Sequence, residues 1–258
     1  MIIDCHAHLG WWFFPIKQES GADLIPVLDR WGIDKAICSS VRAIMEDCRE
    51  ANKQVADWIA AYPDRLYGYI VSNPHYPDIW RADLEAYAEH PQFVGVKLHP
   101  AWHSCPINSK PYAAIFKQCE ELALPVLAHS YDPTPDAQSP SAPERLARVA
   151  SEREVQIVMG HMGGNALRGI KACASSTPNL SLEISAGREN AGQQYAWDLL
   201  RVRRAIDTLG PERVLFGSDM PLVDPAISFG AMRDTELTNE ESDLVMWKNA
   251  ARIFGLAG

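Results

Sequence analysis

Residues Asp4-Cys5-His6-Ala7-His8 carry the first chemistry in the chain: two imidazoles two positions apart, with a carboxylate two positions before them. Ile2 and Ile3 lead into this run, and its alternation is that of a strand, whose side chains change face at every residue. Asp4, His6 and His8 are therefore expected on one face. Two imidazoles so placed can converge on one cation, which needs three or four ligands in all. The plain alternative is a pair of surface histidines, but this pair closes an apolar strand and does not lie in a polar tract. Other apolar runs end in residues of the same kind: Lys97 and His99, then His129, His161 and Asp219.

Strand-like and helix-like patterns alternate behind these residues. After the first strand, strands are predicted over 35–40, 66–72, 93–98, 125–128, 155–159, 180–185 and 214–217. Helices are predicted over 23–31, 46–62, 79–88, 112–123, 143–151, 166–174, 197–209 and 240–254, with Gly32 and Pro63 as stop signals. Eight strand–helix units argue for an α/β protein, a single (β/α)8 TIM barrel over residues 1–258. An open doubly wound sheet would carry a glycine-rich nucleotide turn after its first strand, and none is there. Gly160-His161-Met162-Gly163-Gly164 is glycine-rich, but its histidine and its place at the sixth strand weigh against a phosphate loop. In a barrel all the strand ends named above share the carboxyl face, where active sites lie.

Composition narrows the partners. The formal net charge is −9, from 33 acidic against 24 basic residues without a Lys/Arg run, which argues against nucleic acid or an anionic membrane surface. Six scattered cysteines without a C-x-x-C pair read as reduced thiols in a cytoplasmic protein. Neither a signal peptide nor a membrane span is expected.

Taken together, Asp4-x-His6-x-His8, Gly95-Val96-Lys97-Leu98-His99-Pro100, Ala128-His129, Gly160-His161-x-Gly163-Gly164 and Phe216-Gly217-Ser218-Asp219-x-Pro221 resemble the amidohydrolase superfamily. The resemblance is to the branch that includes aminocarboxymuconate-semialdehyde decarboxylase and dicarboxylate lactonases. Residues Asn249-Ala250-Ala251-Arg252-Ile253-Phe254-Gly255 resemble that branch's closing helix. The resemblance implies one divalent metal held by His6, His8, His129 and Asp219, with Zn2+ first and Mn2+ or Fe2+ as alternatives. It also implies that His161 orients or deprotonates a water, and that Asp219 relays a proton as well as ligating.

Alternation places Lys97 deep on the fourth strand and His99 at its edge, as a substrate contact. On the seventh strand it turns Ser181, Glu183 and Ser185 inward. A buried lysine needs a partner, and Glu183 is the expected one. The alternative is a carboxylated Lys97 bridging two ions. Arg42 is a candidate for binding a substrate carboxylate, or an exposed loop arginine. Trp12 and Trp102, with Trp11, Phe13 and Phe14, are expected to wall an apolar pocket or to cover a homodimer contact. His75 and His90 read as solvated, and His103 as lying near the barrel mouth. The expected function is a metal-dependent hydrolase of a small carbonyl substrate: a lactone, ester or amide bearing a carboxylate. The rivals are a non-oxidative decarboxylase of a small, aromatic acid and a non-enzymatic binding scaffold.

Overall fold

In a computed structural model of the chain, eight parallel strands run in the order β1 to β8, each beside its sequence neighbour. They are β1 (Ile3–Leu9), β2 (Lys35–Ser40), β3 (Leu66–Val71), β4 (Phe93–Leu98), β5 (Val126–Ala128), β6 (Ile157–Met159), β7 (Leu180–Glu183) and β8 (Val214–Leu215). The structure describes residues 1–17, 19–46, 48–131, 138–185 and 200–257. The sheet closes on itself: Cys5 N donates to Phe216 O at 3.1 Å, Asp219 N to His6 O at 2.8 Å and His8 N to Met220 O at 2.7 Å. This is a (β/α)8 barrel.

Two apolar layers hold it. Ile3, Cys5, Ile37, Tyr69, Leu127, Val158 and Leu215 fill the interior, packed with Ile253 and Phe254 of the final helix Asn249–Phe254. The opposite strand faces, among them Ala36, Cys38, Val96, Leu98, Val126 and Leu182, pack into the cluster that contains helix residues such as Leu24, Leu28, Val55 and Ile59. Helix ends follow local chemistry. Ser20 and Asp23 form a capping box at the start of helix Gly21–Trp31, and Gly32 ends it in the left-handed region at φ 67°.

Three sequence expectations change here. The helix predicted over 46–62 is preceded by a separate short one, Val41–Met45, and itself runs Cys48–Ala60. The predicted closing helix changes hydrogen-bonding pattern over Leu244–Lys248, which form a π turn between Asn239–Asp243 and Asn249–Phe254. Of the helix predicted over 197–209, residues 197–199 lie outside the described residues, and Arg201–Leu209 is helical. The prolines at 133 and 135 also lie outside them. Strand β6 starts two residues later than expected and ends at Met159 as expected, whereas β7 and β8 each end two residues earlier; the chain turns sharply beyond β6 and β8, with His161 at φ 57° and Asp219 at φ 65°. Left-handed conformations cost L-residues energy and concentrate at functional sites.

Candidate active site

The floor of the barrel mouth starts with a correction to β1. Its pairing with β2 shifts register between Asp4 and Ala7. Ile3 and Cys5 face the interior, yet Ala7 and Leu9 belong to the outer cluster, so inward positions run Ile3, Cys5, His6, His8. The extra residue separates Asp4 from the histidines. Both backbone groups exposed by the irregularity are satisfied: Tyr69 Oη donates to Cys5 O at 2.7 Å, and His6 N donates to Asp4 Oδ1 at 3.0 Å. Asp4 also accepts from Ser218 N and Ser218 Oγ, which ties β1 to the turn that carries Asp219. Burial pushes the Asp4 carboxyl up to about 7, against the lowering effect of the Ser218 bonds.

Three atoms converge above this lock. Asp219 Oδ1 lies 3.0 Å from His8 Nε2 and 3.6 Å from His6 Nε2. His6, His8 and Asp219 are all buried, with donor atoms within 4.8 Å of one another. Burial raises the Asp219 carboxyl, but His161, His8 and His6 outweigh it and hold the group well below the usual carboxylate range. The second nitrogen of each imidazole is occupied. His6 Nδ1 meets Glu183 Oε1 at 2.9 Å and His8 Nδ1 meets Ser39 Oγ at 3.0 Å. A carboxylate only accepts, so His6 carries its proton on Nδ1 and keeps the Nε2 lone pair. Two imidazoles fixed from behind and one carboxylate suit a divalent Zn, Mn or Fe ion.

Glu183 organises more than His6. Its Oε1 also accepts from His161 N at 2.5 Å and from Ser185 Oγ at 2.8 Å, and its Oε2 accepts from Ser185 N at 2.5 Å. A Cβ at Gly217 would stand 2.6 Å from Glu183 Oε2, so only glycine leaves the carboxylate its place. Lys97, expected beside Glu183, instead puts Nζ 2.6 Å from His6 Nε2. The two charged side chains grip opposite nitrogens of one imidazole. Burial draws Lys97 down to about 8, with Asp219 and Glu183 opposing.

His161 Nδ1 lies 3.0 Å from Ser185 Oγ, and its Nε2 lies 3.0 Å from His129 Nδ1. His129 therefore faces His161 and does not belong to the compact group of His6, His8 and Asp219. Its ring stacks on that of His99, with centroids 3.7 Å apart. Burial pulls His6, His99, His129 and His161 below the ordinary imidazole value, so these rings are neutral near pH 7.

The rim is built differently. Trp12 packs edge-on against Trp102 at 5.7 Å between centroids, and Phe13 lies 6.2 Å from Trp102. Trp102 and Phe13 are 48% and 66% exposed, which makes this an apolar lip on the loops after β1 and β4. Arg42 turns to Glu46, Nε to Oε2 3.4 Å, one helical turn on. His103 is a strut: Nε2 meets Ile44 O at 3.2 Å and Nδ1 meets Tyr112 Oη at 2.7 Å. His75, expected to be solvated, reaches His103 O with Nε2 at 2.6 Å. Sequence reasoning missed Ser39 and the Asp4–Ser218 lock. The signal for Ser39 was its inward parity at the end of β2.

A (β/α)8 barrel with histidines and a carboxylate gathered at its carboxyl face defines a class of metal-dependent enzymes. The amidohydrolase family model matches residues 3–256, and the chain belongs to that family. A search of curated proteins found no significant match. Among solved structures, the chain is similar to a 2,6-dihydroxybenzoate decarboxylase from Rhizobium, with 17% identity, TM-score 0.78, and coverage of 100% of this chain and 99% of that one. It is similar to a dihydroxybenzoic acid decarboxylase from Polaromonas with bound manganese and 2-nitroresorcinol, at 18% identity, TM-score 0.74, and 99% and 97% coverage. A probable 2-pyrone-4,6-dicarboxylic acid hydrolase from Acinetobacter baumannii with citric acid bound gives 18% identity, TM-score 0.72, and 98% and 99% coverage. At these identities the likeness establishes the fold. Among the described residues, no helix is long and apolar enough to cross a membrane.

Proposed function

We propose that this amidohydrolase is a metal-dependent hydrolase of a small carbonyl compound, a lactone, ester or amide bearing a carboxylate. The observation that carries the reading is the convergence of His6 Nε2, His8 Nε2 and Asp219 Oδ1 in a buried group with His161 beside it, its ring 4.8 Å from that of His6. These three residues would hold one divalent cation, with Zn2+ first and Mn2+ or Fe2+ as alternatives, and His129 would complete the set through Nε2, the nitrogen turned away from His161. A cation there supplies Lewis acidity, lowering the pKa of water and polarising a carbonyl.

The remaining chemistry belongs to the chain. His161 donates Nδ1–H to Ser185 Oγ, which in turn donates to Glu183 Oε1, so the basic atom is Nε2, which accepts from His129 Nδ1 at 3.0 Å and takes a proton from water only once that bond is released. A proton taken at Nε2 leaves an imidazolium supported through Ser185 by a carboxylate, the arrangement a general base needs. Asp219 is ionised, so to serve as the relay it first takes up a proton, becoming the neutral acid, and then passes that proton to the leaving group. His99, stacked on His129, contacts substrate. Trp12 and Trp102 wall the entrance, and Arg42 takes a substrate carboxylate by releasing Glu46, an exchange that costs little for so exposed a pair.

The aromatic lip favours a second reading, non-oxidative decarboxylation of an aromatic acid. It is supported by the fold's likeness to dihydroxybenzoate decarboxylases. One experiment separates the two. Metal-loaded protein is incubated in 18O-labelled water with a panel of carboxylated lactones and hydroxybenzoic acids. Hydrolysis places label in the acid product. Carbon dioxide release with no label in the remaining product would replace the hydrolase reading with its rival.

A further inference from the structure

Lys97 is fully buried, and its direct partner is an imidazole. Its Nζ stands 2.6 Å from His6 Nε2, while Glu183 holds the proton of that ring on Nδ1. His6 Nε2 thus has a single lone pair, and the ammonium takes it. The same atom is one of the donors that converge in the His6, His8 and Asp219 group. One lone pair cannot serve both a lysine and an ion.

We propose that the Lys97 ammonium is a built-in stand-in for the cation, holding His6 Nε2 and balancing Asp219 until an ion displaces it. The inference rests on the metal-dependent reading above and assigns a residue which that reading leaves without a role. Burying a charge is costly unless it is paired or used. Asp219 places a buried negative charge against His6 and His8, a charge that calls for a positive one nearby. Lys97 supplies it and keeps the His6 ring aimed at the ligand position. Ion binding is then an exchange, in which the His6 lone pair passes from Nζ to the metal and the ammonium swings off it. The exchange lowers the affinity of the site and keeps the empty site in shape. Lys97 is a positioning residue in this account.

The test uses metal-stripped full-length protein as wild type, Lys97→Met and Lys97→Gln, titrated with Zn2+ against a chromophoric chelator. Thermal unfolding is recorded for the same samples with and without Zn2+. Two like charges about 4 Å apart in a screened interior repel strongly enough to move binding by roughly 10- to 1,000-fold. Both variants are expected to bind Zn2+ more tightly than wild type within that range, and to gain more in Tm on loading. Lys97→Gln keeps a hydrogen-bond donor without the charge, and carries the test alone if Lys97→Met does not fold. Zn2+ bound by the variants but not by wild type would support the exchange in its strongest form. Equal or weaker affinity in the variants would overturn the exchange and leave the metal centre standing. No binding by any of the three would overturn the metal-dependent reading, and the exchange with it.

Discussion

The floor of the barrel mouth and its rim are made on opposite principles. On the floor, His6, His8, Glu183 and Asp219 are almost wholly buried, and nearly every polar atom there has a named partner. On the rim, Phe13, Phe14 and Trp102 are each at least 40% exposed and are held by ring contacts, while Arg42 pairs with Glu46 one helical turn away. Buried, fully bonded groups gain electrostatic strength from the low dielectric and cannot move without loss. Exposed rings and a surface pair can be rearranged at small cost. The floor is rigidly held, and the rim can rearrange at small cost; under the proposed function the first would carry the chemistry and the second would select what enters.

The largest effect expected from this contrast is on turnover. His161→Asn should keep the metal and lose activity by about 10²–10⁴-fold, since the amide holds water without accepting its proton. Single-turnover rates beside metal content would check this, and a variant that retains full rate would remove His161 from the chemistry. Next comes stability. Glu183→Gln places an NH2 opposite groups that donate, namely His161 N, Ser185 N and Ser185 Oγ. Breaking a buried charged network in this way costs about 3–5 kcal/mol, readable as a shifted urea midpoint. A near-neutral result would mean that Glu183 is not the hub of the floor.

Beneath the rim, His103 gives a pH effect of defined sign. Burial draws it down to about 4, against an ordinary value near 6.5, despite the raising effect of the Ile44 carbonyl. The folded state therefore binds fewer protons than the unfolded state between these values. The stability His103 contributes is present above pH 6.5 and is lost as pH falls through 4, about 3 kcal/mol at most. Unfolding measured against pH should show a shallower acid loss in His103→Asn than in wild type; parallel curves would contradict the assignment. The smallest effect belongs to the lip. Trp102→Ala should change stability by no more than about 0.5 kcal/mol while altering KM, because its half-exposed ring packs on other rim rings and meets the buried site edge-on at His99, 6.5 Å between centroids. Large destabilisation there would erase the distinction between floor and rim.

The barrel was legible in the alternation of apolar runs because each inward or outward position repeats every second residue, and β4 and β7 follow that parity through Lys97 and Glu183. The same parity failed in β1, where one extra residue sets Asp4 apart from His6 and leaves no trace in residue type. The partnership expected between Lys97 and Glu183 failed for a related reason. Parity puts both side chains inside the barrel, but only tertiary distance decides that each reaches His6 and not the other. His6, His8, Asp219 and His161 were readable because each ends an apolar run. His129 was readable as a strand-end histidine, yet its contact with His161 was not.

The central claim is that His6, His8 and Asp219 form one cation site. The most direct measurement is elemental analysis by plasma mass spectrometry of protein purified without chelator, as wild type, His6→Ala and Asp219→Ala, with folding checked by circular dichroism. The account expects close to one divalent ion per chain in wild type and almost none in either folded variant. Two ions per chain with a carboxylated Lys97, or unchanged metal content in the variants, would contradict it.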